Sequence, residues 1–259
     1  MNVAVLVKQI PDPELLPALD PDTFRMVRGS GFVIDDADRY GVEVALSLRD
    51  ASGGGEVTAV SMTPGGETGG LRAALAMGVD KALVVSDTEL AGTDALSTAK
   101  VLAAALARVA PDLVIAATES TDGYTGTVPV QIAELLGWPS ISYATTVACV
   151  DELVSATRQT DAGTEDVECP LPVVVSVTAG IVEPRYPSMR GIMSAKSKPI
   201  ATLSVADLGI DSGAVGAIGA RQAVISATVA PPRAGGVIVV DEGDAHEHII
   251  ELLAELRLI

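Results

Sequence analysis

Short, mostly apolar runs at residues 3–7, 56–62, 81–85 and 113–117, the first and last of them wholly so, alternate with longer stretches in which apolar residues recur every three or four positions. A continuous apolar run bounded by turn residues is the pattern of a strand buried on both faces, and the 3.6-residue spacing is that of a helix covering it. The spacing predicts helices over 37–49, 67–77 and 93–109, and a further one ending near Leu136. Asp35, Asp36 and Asp38 supply N-cap and first-turn charge for the first of these. Strands alternating with helices in this way predict an α/β fold: a doubly wound, mostly parallel sheet with helices on both faces.

The pattern then changes. Residues 140–150, 153–159 and 164–168 read as strands joined by short turns at Asp151-Glu152 and Asp161-Ala162-Gly163, a small antiparallel extension within 140–168. Residues 172–178 are again largely apolar and return to the main sheet, and 199–203 form a short strand. After the first strand, the prolines of Lys8-Gln9-Ile10-Pro11-Asp12-Pro13 stop the sheet, and 14–35 are irregular with a small hairpin turning at Gly29-Ser30-Gly31. Residues 204–236, rich in Gly, Ala, Ser and Pro, read as an extended arm, followed by an amphipathic helix over 245–256. The chain thus divides into an α/β domain of residues 1–203 and a C-terminal arm and helix of residues 204–259.

Composition narrows the function. The 259 residues are 48% hydrophobic but only 3% aromatic, so the core is built from Ala, Val, Leu and Ile. A formal charge of −17 argues against nucleic acid or an anionic membrane as partner. No apolar run has the length of a membrane span, and the expected location is cytoplasmic. Cys149 and Cys169 make neither a disulfide framework nor a metal cluster and are expected to be buried free thiols. The two histidines, His246 and His248, point in different directions on the last helix and belong to a solvated face. No nucleophile–base pair can be assembled from them, so no catalytic centre and no metal site is expected.

Two segments carry candidate chemistry. Ligands of open α/β sheets lie beyond the carboxyl ends of the strands, where the strand order reverses. There the loop Thr118-Glu119-Ser120-Thr121-Asp122-Gly123-Tyr124-Thr125-Gly126-Thr127 follows a buried strand and opens a helix. Its glycines let backbone amides approach a ligand, and the helix N-terminus favours an anion. The residues alone balance phosphate binding evenly against ordinary helix capping. Lys8, at the end of the first strand, can reach a phosphate, although a solvent-facing strand-end lysine is the commoner outcome. The second segment, residues 183–198, holds Arg185, Arg190, Lys196 and Lys198 against Glu183 on a strongly acidic chain. Pro184 and Pro187 keep its first half out of a helix and leave Tyr186 and Met189 on a polar loop, the character of a docking surface.

Four motifs in order, Val7-Lys8-Gln9-Ile10-Pro11-Asp12, Ala74-Leu75-Ala76-Met77-Gly78-Val79-Asp80-Lys81, Glu119-Ser120-Thr121-Asp122-Gly123 and Glu183-Pro184-Arg185-Tyr186-Pro187-Ser188-Met189, followed by Ile192-Met193-Ser194-Ala195-Lys196, resemble the electron transfer flavoprotein beta subunit across nearly the whole chain. The resemblance implies an adenine-nucleotide-binding, Rossmann-like fold, and an electron carrier without a catalytic centre of its own. It implies a heterodimer whose alpha subunit holds most of the FAD site, while the beta subunit buries a structural AMP. By position, AMP would draw on Leu6, Asp35, Asp36, Ala37, Asp38, Met62, Asp122, Gly123, Tyr124, Thr125, Gly126 and Thr127. Pro11, Asp12 and Pro13 would lie near the flavin, and residues 204–259 would pack on the alpha subunit.

The resemblance also makes residues 179–198 a recognition loop for flavin dehydrogenases, with Arg185, Tyr186, Pro187, Ser188, Met189, Arg190, Ile192 and Met193 as docking residues. Its apolar anchor, commonly Leu, falls on Met189. Electrons would pass on to a quinone-linked oxidoreductase of the respiratory chain. Three positions depart from the family pattern. The segment before the first long helix, where Asn is frequent, reads Asp35-Asp36-Ala37-Asp38. Val182 replaces an Asn, and Gln159 replaces a Glu after Arg158. Two other functions compete with this one: an electron-bifurcating subunit with its own FAD, whose loop usually reads Asp-Gly-Asp-Thr-Ala-Gln, and a stand-alone adenine-nucleotide sensor.

Overall fold

The first apolar run becomes the central strand β1 (Val3–Leu6), buried at every position. The computed structural model describes residues 1–259 apart from 15–18, 30, 229–230, 232–234 and 237. After β1 come β2 (Gln9–Pro11), β3 (Phe32–Ile34), α1 (Asp36–Ala51), β4 (Val57–Thr63), α2 (Gly69–Met77), β5 (Lys81–Ser86), α3 (Ala95–Val109), β6 (Leu113–Ala117) and α4 (Val128–Leu136). The chain continues through β7 (Ser140–Val150), β8 (Leu153–Thr160), β9 (Gly163–Pro170), β10 (Val173–Val177), α5 (Met189–Ala195), β11 (Ile200–Leu203), α6 (Gly216–Gly219) and α7 (Ala245–Glu255).

Nine strands form one sheet in the order β11-β5-β4-β1-β6-β10-β7-β8-β9. Its pairings are parallel except β7–β8 and β8–β9, so the antiparallel extension sits at one end of an otherwise parallel sheet. Alternation along each strand sorts the core into two layers. Val3, Val5 and Val7 pack with α1 and α2 on one face, whereas Ala4 and Leu6 pack with α3 and α4 on the other. The sheet is therefore doubly wound, as the apolar runs predict. Because α1 and α4 leave β1 and β6 on opposite faces, the carboxyl ends of those neighbouring strands form the switch point.

Local differences from the sequence reading have local causes. Pro11 does not end all pairing: it closes β2, which pairs antiparallel with β3. Pro tolerates such a strand end because it need not donate to a ladder. The turn expected at Gly29-Ser30-Gly31 includes Ser30, outside the described residues. Cys149 and Cys169 are free but half-buried rather than buried, because the extension leaves the helical layers behind. Within residues 204–224, Val205 and Val215 insert into the layer beside α3, and the Gly216 amide donates to Thr93 Oγ1 at 3.0 Å. Contacts divide the chain into Met1–Val224 and Ile225–Ile259. The second unit carries α7, on which Ile249, Ile250 and Leu252 are exposed, as are His246 and His248.

Candidate functional site

At the switch point, three aspartates knit the end of β1, the start of α1 and the loop after β6 into one frame. Asp35, fully buried, caps α1 by accepting from the Ala37 amide at 3.0 Å, and it also accepts from the Thr121 amide at 2.7 Å. Asp38 is buried and accepts from the Lys8 amide at 2.5 Å. Asp122 takes Lys8 Nζ at 2.5 Å on one oxygen and Arg28 Nη2 on the other. Lys8 Nζ also donates to Ser120 Oγ at 2.9 Å. Lys8 is thus not the free strand-end lysine that is the commoner outcome. Burial raises the Asp122 carboxyl, but Lys8 and Arg28 outweigh it and hold it below its ordinary value. Burial, with Asp35 and Asp122 nearby, pushes Asp38 well up despite the Lys8 amide.

The second half of the loop is different. A tight turn pairs the Tyr124 amide with the Ser120 carbonyl at 2.9 Å and puts Tyr124 at φ +46°. Gly126 follows at φ +67°, a conformation that favours glycine. Thr127, the N-cap of α4, makes no side-chain cap bond. Among the described residues, the amides of Thr125, Gly126, Thr127 and Val128 have no hydrogen-bond acceptor. Gln131 Oε1, one turn into α4, is buried without a partner, while its Nε2 donates to Thr127 Oγ1 at 3.4 Å. Free amides at a helix N-terminus suit an anionic group, and a buried acceptor suits a hydroxyl or amine. These groups fit a phosphorylated nucleotide.

Of the residues assigned to this site, Asp35, Asp38, Asp122 and the loop from Gly123 to Thr127 are brought together. Asp36 is exposed and pairs with Arg39 at 3.0 Å, and Ala37 lends its amide to the cap. Leu6 ends β1 and Met62 stands one residue before the end of β4, both on the α3 and α4 face. Pro11 closes β2 and Asp12 and Pro13 follow it, where the Asp12 amide donates to the Gly31 carbonyl at 3.2 Å. Gln9 ties that pair to α2 through the Glu67 carbonyl at 2.5 Å and the Gly70 amide at 3.0 Å.

The loop after β10 ends differently from its sequence reading. Ser188 caps α5 by accepting from the Gly191 amide at 3.0 Å, so Met189 begins a helix rather than lying on a loop. Pro184 and Pro187 precede that cap and still exclude helix before it. Tyr186 is 90% exposed, Met189 77% and Met193 71%, with Ile192 half-exposed beside them. Met189, Ile192 and Met193 share one face at i, i+3 and i+4. Two of the four basic residues are spent internally. Arg185 binds Glu43 on α1, and Lys198 Nζ donates to the Leu75 and Val79 carbonyls at 3.0 and 2.6 Å, which lowers its basicity through burial.

The electron transfer flavoprotein domain family matches residues 23–208. The electron transfer flavoprotein subunit beta of Mycobacterium tuberculosis is 38% identical over 100% of this chain and 99% of its own length. That of Megasphaera elsdenii is 32% identical over 98% and 97%. The chain belongs to the electron transfer flavoprotein beta-subunit family. A 32% identical relative, covering 99% of this chain and 98% of its own, is the caffeyl-CoA reductase-Etf complex subunit CarD of Acetobacterium woodii.

As an electron transfer flavoprotein beta subunit, the protein is an electron-carrier component, and membership implies an alpha partner. No helix among the described residues is long and apolar enough to cross a membrane, and no cluster of metal-ligating side chains occurs among them. The sequence reading missed two charged groups of these sites. Glu43 did carry a signal, a lone acid between Val42 and Val44 where α1 turns inward. Arg28 carried none, since its partner lies 94 residues away.

Proposed function

We propose that this subunit holds AMP at the switch point, walls one side of the alpha subunit's flavin through Pro11, Asp12 and Pro13, and docks flavin dehydrogenases through residues 186–193, Arg185 being engaged by Glu43. The observation that carries the nucleotide assignment is the row of unpartnered amides from Thr125 to Val128 beside the buried, unpaired Gln131 Oε1. The phosphate falls to the amides, since Lys8 and Arg28 are taken up by Asp122. Asp35, Asp38 and Asp122 hold the frame rather than the ligand, because each already accepts protein hydrogen bonds. FAD, held mainly by the alpha subunit, supplies the redox chemistry when bound. The exposed Tyr186, Met189 and Met193 support docking, since a small anchor suits the brief encounters of electron carriers. A flexible thioether fits more than one pocket. Electrons then go to a quinone-linked oxidoreductase of the respiratory chain, and residues 225–259 with the terminal helix lie on the alpha subunit, whereas residues 204–224 are seated in part beside α3 of this chain.

The test is co-expression with the alpha subunit, followed by an absorption spectrum and extraction of bound nucleotides. One FAD and one AMP per heterodimer is the expected result. Two FAD would replace the AMP assignment with an electron-bifurcating subunit. A flavin-free homo-oligomer indifferent to the alpha subunit would overturn both in favour of a nucleotide sensor.

A further inference from the structure

The docking helix is held from both ends by groups that do not face outward. Ahead of it, the buried Glu43 of α1 accepts from the Arg185 amide at 3.0 Å, from Nε at 2.7 Å and from Nη2 at 2.8 Å. Such a fork-to-carboxylate pair fixes direction as well as distance. Asp50 stands 3.8 Å from the same guanidinium, but it is engaged by Arg49 at 2.7 Å. Behind the helix, Arg72 Nη1 donates to the Ala195 and Lys198 carbonyls at 2.6 and 2.9 Å. In the middle, Gly191 lies so close to α2 that a Cβ there would overlap the Ala76 carbonyl oxygen. Burial raises the Glu43 carboxyl, but its bonds to Arg185 outweigh that and hold it below the ordinary value, so the pair is ionised at neutral pH.

We propose that Arg185 is a positioning residue for docking: clamped on Glu43, it fixes the chain entering α5 and thereby the direction in which Met189 and Met193 project toward the dehydrogenase. This rests on the docking role proposed above. The arginine touches α1 rather than the partner. The clamp also holds the backbone amide of Arg185, three residues before the Ser188 cap, where a change in chain path swings the whole helix. If the projecting geometry were populated a tenth of the time without the clamp, apparent affinity would fall about tenfold with no loss of a partner contact.

The experiment uses the intact heterodimer with Glu43→Gln, Arg185→Lys and the double variant, and Met189→Ala as the docking control. A purified flavin dehydrogenase with its substrate delivers electrons, and dithionite serves as a reductant that needs no docking. Each clamp variant is expected to raise the KM for the heterodimer about tenfold. The limiting rate, cofactor content, melting temperature and dithionite reduction should stay near wild type. The double variant should be no worse than the poorer single one, because both break one interaction. Unchanged KM values alongside an impaired Met189→Ala would overturn the clamp and leave the docking role standing. Unchanged values in all four variants, Met189→Ala included, would overturn the docking role itself. Additive effects in the double variant, or lost cofactor and a lowered melting temperature in the single ones, would make Arg185 and Glu43 separate structural residues and also overturn the proposal.

Discussion

Two loops leave the carboxyl edge of the same sheet, one after β6 and one after β10, and each opens a helix. In both, a buried carboxylate absorbs the nearby cations: Asp122 takes Lys8 and Arg28, and Glu43 takes Arg185. What remains differs. After β6 the unspent groups are backbone amides and one amide oxygen, which select a small polar anion. After β10 they are Tyr186, Met189, Ile192 and Met193, flanked by the exposed Arg190 and Lys196, which suit an apolar surface with an acidic rim. The paired charges therefore fail to distinguish the two loops, although charge is what first draws attention to residues 183–198. Function follows from the groups left over after the ion pairs are made.

The sharpest way to break this comparison is Gly191→Val. Its side chain has no room against the Ala76 carbonyl, so α5 must lift off α2. Electron exchange with the dehydrogenase should fall by more than about tenfold in the heterodimer, because the projecting geometry is lost. Nucleotide content should not change, since α5 packs on α2 and, among the described residues, makes no hydrogen bond to the β6 loop. Exchange at the wild-type rate would show that the seating of α5 is irrelevant to docking.

A smaller effect is expected on the other loop from Asp122→Ala. Lys8 and Arg28 are each more than a third exposed, so water takes over much of their solvation. The loop nevertheless loses the buried post that holds its turn. Retained nucleotide after gel filtration should drop by roughly tenfold, the scale of one charge-assisted hydrogen bond. The KM for the dehydrogenase should stay put. A fall in docking with nucleotide intact would merge the two loops into one functional unit.

The layers of the fold were legible because burial writes itself into local sequence: a strand covered on both faces is apolar nearly throughout, as β1, β6 and, but for Ser176, β10 are. The β6 loop was legible by its place after such a strand and by Gly123 and Gly126. That Asp122 and Glu43 serve as posts for distant arginines was not, because the Asp122–Arg28 and Glu43–Arg185 pairs span 94 and 142 residues and leave no periodic trace. The helix α5 was hidden for another reason. Seven residues containing a glycine have little helical propensity, and the helix exists through Ser188, Arg72 and the surface of α2.

The smallest effect sharpens the claim that the acids at the nucleotide loop are frame rather than ligand. Asp38 is buried, and its carboxyl keeps its proton above the ordinary value of 3.8, chiefly through burial. Between that value and the raised one, the unfolded chain has released a proton that the folded chain still holds. Rising pH through this window therefore lowers the stability of the wild-type protein. Asp38→Asn keeps an oxygen for the Lys8 amide and removes the titration. The variant should match the wild type near pH 3.8 and gain progressively above it, reaching a melting temperature higher by about 3 °C at pH 7, roughly 1 kcal/mol for a chain of this size. AMP content should be unchanged, because the side chain faces Lys8, Asp35 and Asp122 rather than the free amides. A gain that is the same at both pH values would remove the buried charge as its cause. Loss of AMP with folding intact would return Asp38 to the ligand's side of the frame.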